Sequence, residues 1–313
     1  MAGRRRPTAQ DGPLMLALRS TLVIDPLDKA ALSAAAHSVA DAIVIDLAAP
    51  GVHGERSRAR ANATKAIASI AATGRPVHTR VSDTRSGELE ADLDAVVGAH
   101  LAAIVLSGAA VPQDVRDIDV AIRKREMRGG IAPGGIRLIP EIDSAEGLTQ
   151  LARMLEAVDR HSAVALSLDG LRDDLRLGDG AAPLYEHAMA DVAVIARASG
   201  LPWVLSMTHR RPEKGRLPGR AHEFGAAGVT VHDEPTASEM NALFAPDPID
   251  VAVARATVAE WERLRARGEW VGVVAGAMPE AATYDRLVDR RTVRRARAFL
   301  AYVEAIERRE AVW

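Results

Sequence analysis

From Thr21 to Val231, short runs of apolar, largely branched residues alternate with alanine-rich stretches of helical spacing. The runs fall at Thr21–Asp25, Ala42–Leu47, Pro76–Val81, Ala102–Leu106, Ile136–Ile142, Ala163–Leu168, Pro202–Leu205 and Gly228–Val231. Several are apolar throughout, as in Ala42-Ile43-Val44-Ile45, without the alternation of a strand that has one face in water. Continuous apolar strands are buried on both faces, the condition of a parallel sheet covered by helices. The intervening helical patterns are Lys29–Ala40, Ser57–Ala72, Glu88–Ala99, Gln113–Arg128, Ser144–Val158 and Tyr185–Ala198. All lack internal proline, and Gly74 and Gly200 supply stop signals. Eight such units in roughly 230 residues fit a (β/α)8 TIM barrel; a doubly wound sheet is the competing arrangement.

The texture changes after Val231. Asp247-Pro248 reads as an N-cap followed by proline in the first turn, opening a helix that runs to Arg267 and stops at Gly268. Trp270–Val274 is a short extended stretch, and a last helix carries Val293, Ala296, Leu300, Val303 and Ile306 on one face. The expected organisation is α/β: a disordered N-terminal tail over 1–13, a barrel over 14–245 and a C-terminal helical extension over 246–313. The extension's apolar stripe is expected to pack on the barrel or on another subunit.

Composition narrows the function classes. The 313 residues carry 40 Lys+Arg and 42 Asp+Glu, a formal net charge of −2, which argues against a general nucleic-acid binder. Hydrophobic residues at 48% exclude a disordered chain. Cysteine is absent, so there is no thiolate nucleophile and no zinc ribbon, and a reducing cytoplasmic location fits. No apolar run is long enough to cross a bilayer. A Gly-rich phosphate loop after a strand, a Gly-x-Ser-x-Gly elbow and a His-Glu-x-x-His motif are also missing.

In a barrel the chemistry sits at the C-terminal ends of the strands. Those ends are Asp25, Asp46, Arg80, Ser107, Asp143, Asp169, Ser206 and His232. Carboxylates around one mouth suit a hard divalent cation such as Mg²⁺, and an arginine there suits a substrate carboxylate or a developing oxyanion. Each residue also has a local reading. Asp25, Asp46 and Asp143 could cap the chain that follows, Arg80 could form a structural ion pair, Asp169 sits in a Leu-Asp-Gly turn, and a lone histidine is often structural. The basic segment His209–Arg216, with Arg210, Arg211 and Lys214, follows strand 7 where barrels commonly bind phosphate; it is a candidate for the phosphates of coenzyme A or a solvated loop. The arginines of the last helix, Arg290 to Arg297, read as a solvated face or as subunit salt bridges.

Arg19–Leu22, Arg80-Val81, Pro140–Gly147 and Gly228–His232 follow one another, between about Arg19 and Ala301, in an order that resembles the citrate lyase β-subunit-like branch of the HpcH/HpaI aldolase family. Arg19-Ser20-Thr21-Leu22 resembles the family's opening Arg-Ser-x-Leu, and Arg80-Val81 its substrate-binding Arg-Val. Pro140-Glu141-Ile142-Asp143-Ser144-Ala145-Glu146-Gly147 resembles Pro-x-Ile-Glu-Thr-Ala-x-Gly, and Gly228–His232 resembles Gly-x-x-Ile-His. Phe244-Ala245-Pro246 and Arg291-x-x-Arg294-Arg295-Ala296-Arg297 also fit.

The resemblance implies an oligomeric barrel, a trimer or hexamer, whose C-terminal segment reaches a neighbour's site. It implies a Mg²⁺-dependent carbon–carbon lyase acting on a 3-hydroxyacyl-CoA or related hydroxy acid, with an acyl-CoA or keto acid as its small-molecule partner. Carried over by position, Arg80 is the substrate arginine and Asp143 stands where the family has a metal-binding Glu. The second metal acid is either replaced by Gly170 or supplied by Asp169. Gly276-Ala277-Met278-Pro279-Glu280 resembles Gly-Lys-Met-x-Asp, which places Glu280 on the catalytic acid/base. Three family positions are lost. Glu-Asp after strand 2 is Ala48-Ala49, Pro-Lys-x-Glu after strand 4 is Ser107-Gly108-Ala109-Ala110, and the Pro after the histidine is Asp233. Losses gathered at the mouth imply a changed substrate or a weakened site that binds acyl-CoA without cleaving it; thioester hydrolysis on the same scaffold is a third reading.

Overall fold

A computed structural model describes residues 18–178, 182–207, 216–274 and 287–311. Eight parallel strands close into a barrel in sequence order. They are β1 (Ser20–Ile24), β2 (Ala42–Asp46), β3 (Val77–Val81), β4 (Ala103–Leu106), β5 (Arg137–Ile142), β6 (Val164–Ser167), β7 (Trp203–Ser206) and β8 (Gly228–Val231). Closure comes from β8 pairing with β1, Thr21 opposite Thr230. Gly228 makes that seam possible, because a Cβ there would lie 1.7 Å from the Leu18 carbonyl oxygen.

The helices between strands are α1 (Lys29–Ala34), α2 (Arg56–Ala71), α3 (Leu89–Val96), α4 (Pro112–Arg128), α5 (Ala145–Ala157), α6 (Leu168–Leu175), α7 (Ala182–Ala198), α8 (Arg216–Glu223) and α9 (Glu234–Leu243). The main core lies between strands and helices. Ile43, Ile45, Ile104, Leu106, Leu138, Ile142 and Leu166 face outward from the barrel and are buried with Ile70, Leu93, Ile118, Ile122, Leu151 and Met154 of the helices. The inward face is of another kind: Val23, Val44, Val105, Ala165 and Val204 share it with His78, Arg80, Asp46 and Glu141. Small side chains there leave a pocket open at the C-terminal end of the strands.

Each sequence-expected strand appears within about a residue of its place. Strand 6 is an instructive difference. The run Ala163–Leu168 ends early, at Ser167, whose hydroxyl accepts the Gly170 amide and caps α6. Asp169 therefore stands in the first turn of a helix and not at a strand end.

The fold divides into two compact units, one of them Leu18–Phe244. The other contains α10 (Pro248–Ala266), the antiparallel pair β9 (Gly272–Val273) and β10 (Leu287–Val288), and α11 (Arg290–Ala311). The Asp247 carboxylate accepts the Ile249 amide, as its N-cap position requires. Trp261, Leu264, Val274, Val288 and Val293 form this unit's own small core.

Candidate active site

Alternation along a strand brings every second side chain to the barrel axis. The top layer is thereby Asp46 of β2, Arg80 of β3, Glu141 of β5 and Ser206 of β7, with Ser107 following β4 and His232 following β8. One hydrogen-bonded network joins most of them. Arg80 Nε donates to Glu141 Oε2 at 2.6 Å, Nη1 to both Asp46 oxygens at 3.3 and 3.4 Å, and Nη2 to Ser107 Oγ at 2.8 Å. The Ser206 hydroxyl donates to Glu141 Oε1 at 2.5 Å. Glu141 is 1% exposed and Arg80's side chain 15%, so the charges face one another away from bulk water.

Two carboxylates around one guanidinium leave an excess negative charge. Burial works against the Arg80 cation, yet Glu141 and Asp46 hold its pKa above the ordinary arginine value. Burial raises the Asp46 carboxyl; Arg80 lowers it and Glu141 raises it further. Below them lies His78, 1% exposed, with no hydrogen-bond partner for Nε2. Burial pushes its imidazole down to about 4, so it is neutral at pH 7.

Asp143 lies just past the end of β5. It does not cap α5, because the Ser144 hydroxyl does so by accepting the Gly147 amide. Its carboxyl is pushed up to about 6, first by burial and then by Glu141, against a smaller opposing effect of Arg80. Gly170 packs directly on it: a Cβ there would come within 2.5 Å of the Asp143 Cβ. Position 170 therefore takes no side chain in this packing; α6 carries Asp169 in its first turn, and its Asp174 accepts the Ala145 amide at 2.8 Å. Among the described residues, no cluster of three or more His, Asp or Glu could hold a metal. A donor set of one or two carboxylates plus water suits Mg²⁺, and it does not suit a metal that demands a protein cage.

The remaining candidates separate. Asp25 is exposed and accepts the Leu27 amide, a local turn. His232 hydrogen-bonds through Nε2 to the Met207 carbonyl at 2.7 Å and lines the pocket. Asp233 caps α9. Arg210, Arg211, Lys214 and Glu280 lie outside the described residues. Sequence reasoning missed Glu141 and His78. The signal was present: residues 139 and 141 share one face of β5, and Ile139 lines the pocket, so a Glu two residues on in that apolar strand points inward.

The HpcH/HpaI aldolase/citrate lyase family model matches residues 19–233. Citrate lyase subunit beta of Leuconostoc mesenteroides subsp. cremoris is 24% identical over 272 residues, 85% of this chain and 86% of that one. A (3S)-malyl-CoA thioesterase of Cereibacter sphaeroides is 26% identical over 290 residues, covering 91% and 96%. Among solved structures, a citrate lyase from Burkholderia xenovorans LB400 superposes with a TM-score of 0.66 at 16% identity, covering 92% of this chain and 91% of that one. The CitE protein of Mycobacterium tuberculosis, in complex with magnesium, acetoacetate and coenzyme A, gives 0.59 at 17%, covering 92% and 100%. The closed eight-stranded barrel, the Arg80 layer at its mouth and a family match over more than half the sequence agree, and the chain belongs to the HpcH/HpaI aldolase/citrate lyase family.

Proposed function

We propose that this protein is a Mg²⁺-dependent carbon–carbon lyase that cleaves or forms a 3-hydroxyacyl-CoA or a related hydroxy acid. The observation that carries the reading is Asp143, a half-buried carboxylate at the barrel mouth whose charge is held unfavourably by burial and by Glu141. Such a group gains from a hard cation, and Asp143 with Asp169 would hold Mg²⁺. When bound, the ion supplies Lewis-acid stabilisation of negative charge developing on substrate oxygens. In the cleavage direction a base removes the C3 hydroxyl proton, the C2–C3 bond breaks to give a carbonyl product, and the thioester carbanion takes a proton at C2. Glu280 is assigned the proton transfer, and Arg210, Arg211 and Lys214 the coenzyme A phosphates. Arg80, held in one orientation by three partners, offers its remaining Nη hydrogens to a substrate oxygen.

A C-terminal unit that completes the site of a neighbouring subunit is part of this reading, as is a homo-oligomer. The exposure of Trp270, Val271, Val273 and Leu287 in that unit supports it. A cytoplasmic location accords with the absence of cysteine. No helix among the described residues is long and apolar enough to cross a membrane.

Thioester hydrolysis is the second reading, favoured by the similarity to (3S)-malyl-CoA thioesterase. Product analysis separates the two. A 3-hydroxyacyl-CoA incubated with protein and Mg²⁺ should yield a shorter acyl-CoA and a carbonyl compound without free thiol. Free coenzyme A thiol with no carbonyl product would assign hydrolysis instead.

A further inference from the structure

Arg80 is the only permanently cationic side chain among the described residues that line the pocket. It is also the most heavily occupied. Glu141 takes Nε, Asp46 takes Nη1 and Ser107 takes Nη2. Glu141 is in turn fixed from the other side by Ser206. The carboxylate that a free arginine would accept from a ligand is already supplied by the protein. Counting Arg80, Asp46 and Glu141 alone, the top layer carries one net negative charge before any ligand enters.

We infer that Glu141 is a specificity-determining residue: its carboxylate occupies Arg80 in place of a ligand carboxylate, so the ligand group that reaches Arg80 is uncharged. The inference rests on the lyase reading of this pocket and narrows its substrate class. The acyl chain ends in an alkyl or hydroxyl group, and dicarboxylates are disfavoured. The physical basis is that a third carboxylate at one guanidinium meets two fixed anions in a water-poor pocket, with like-charge repulsion strengthened by the low local dielectric. An alkyl end meets no such penalty and gains contact with Val44 and Val105, which line the same pocket.

A matched ligand pair tests this. 2-Oxobutyrate and oxaloacetate differ by a methyl in place of the second carboxylate. Their dissociation constants are measured by calorimetry with Mg²⁺ for the wild type, E141Q and E141L, each confirmed folded by circular dichroism. The wild type should bind 2-oxobutyrate at least about tenfold more tightly than oxaloacetate, a factor equivalent to about 1.4 kcal/mol. Removing the anion in E141Q and E141L should collapse or reverse that ratio, mainly by tightening oxaloacetate. Oxaloacetate binding that appears only in the variants would support the inference equally. It is overturned if the wild type binds oxaloacetate as tightly as 2-oxobutyrate, if the ratio is the same in folded variants, or if neither ligand binds any of the three proteins. Loss of the lyase reading shows differently: no carbon–carbon cleavage of any thioester, with the binding ratio intact.

Discussion

Replacing Arg80 by Leu tests how the mouth is held together. The substitution leaves Asp46 and Glu141 facing each other, with side chains 11% and 1% exposed and no cation between them. Breaking a buried pair by removing one partner costs about 3–5 kcal/mol, because an uncompensated charge remains. An independent bound comes from neutralisation. Keeping one buried carboxyl protonated at pH 7, against an ordinary carboxylate pKa of about 4.3, costs about 1.36 kcal/mol per unit, close to 3.7 kcal/mol. The two figures agree, so R80L should lose about 4 kcal/mol at pH 7 in urea denaturation. A carboxyl whose pKa is raised in the folded variant binds its proton more readily folded than unfolded. The deficit should therefore shrink as pH falls from 7 towards 5. Adding Glu141→Leu should recover part of the loss, since it removes one of the two uncompensated carboxylates and leaves Asp46. A deficit under about 1 kcal/mol that is independent of pH would show instead that Arg80 contributes no more than a surface ion pair.

Three further outcomes follow from the same structure. His78 and His161 are buried with imidazoles pushed down to about 4, so they are neutral when folded and take up protons near 6.5 when unfolded. The stability they contribute is complete above about pH 6.5 and is lost as pH falls from there towards 4. H78F should make chemical denaturation less sensitive to acid over that window, by up to about 3 kcal/mol, and an unchanged acid profile would contradict this. Gly170→Ala places a Cβ 2.5 Å from the Asp143 Cβ and should destabilise the barrel by about 1–3 kcal/mol in thermal melts; neutrality would mean that α6 does not press on Asp143. Asp247→Ala removes the α10 cap and should cost about 1 kcal/mol, detected as a lowered denaturation midpoint of the C-terminal unit.

The barrel was legible because its strands obey a simple rule. A strand buried on both faces has to be apolar along its length, and eight such runs separated by amphipathic helices admit few closures. Asp247-Pro248 marked α10 for an equally local reason. Short helices were harder. α6 follows β6 without a loop, so the run Ala163–Leu168 gives no sign of where the strand yields to the Ser167 cap. The mouth was legible in membership but not in wiring. Asp46, Arg80, Ser107 and Ser206 do converge, whereas Asp25 turns to its own backbone. Which carboxylate holds Arg80 depends on a register across β2, β3 and β5 that no local pattern encodes, and Glu141 went unseen inside a strand read as apolar. The role of Asp143 likewise depends on tertiary contact, since its chain neighbours made it a plausible cap and only the neighbouring Ser144 hydroxyl takes that place.

On the proposed function, the rim around Asp143 should take up Mg²⁺. Isothermal titration of Mg²⁺ into the wild-type protein and into D143N, with a keto acid present, addresses it most directly. The wild type should give a saturable heat that D143N abolishes while its melting curve shows a folded protein. No saturable heat up to millimolar Mg²⁺, or equal binding by both proteins, would contradict it.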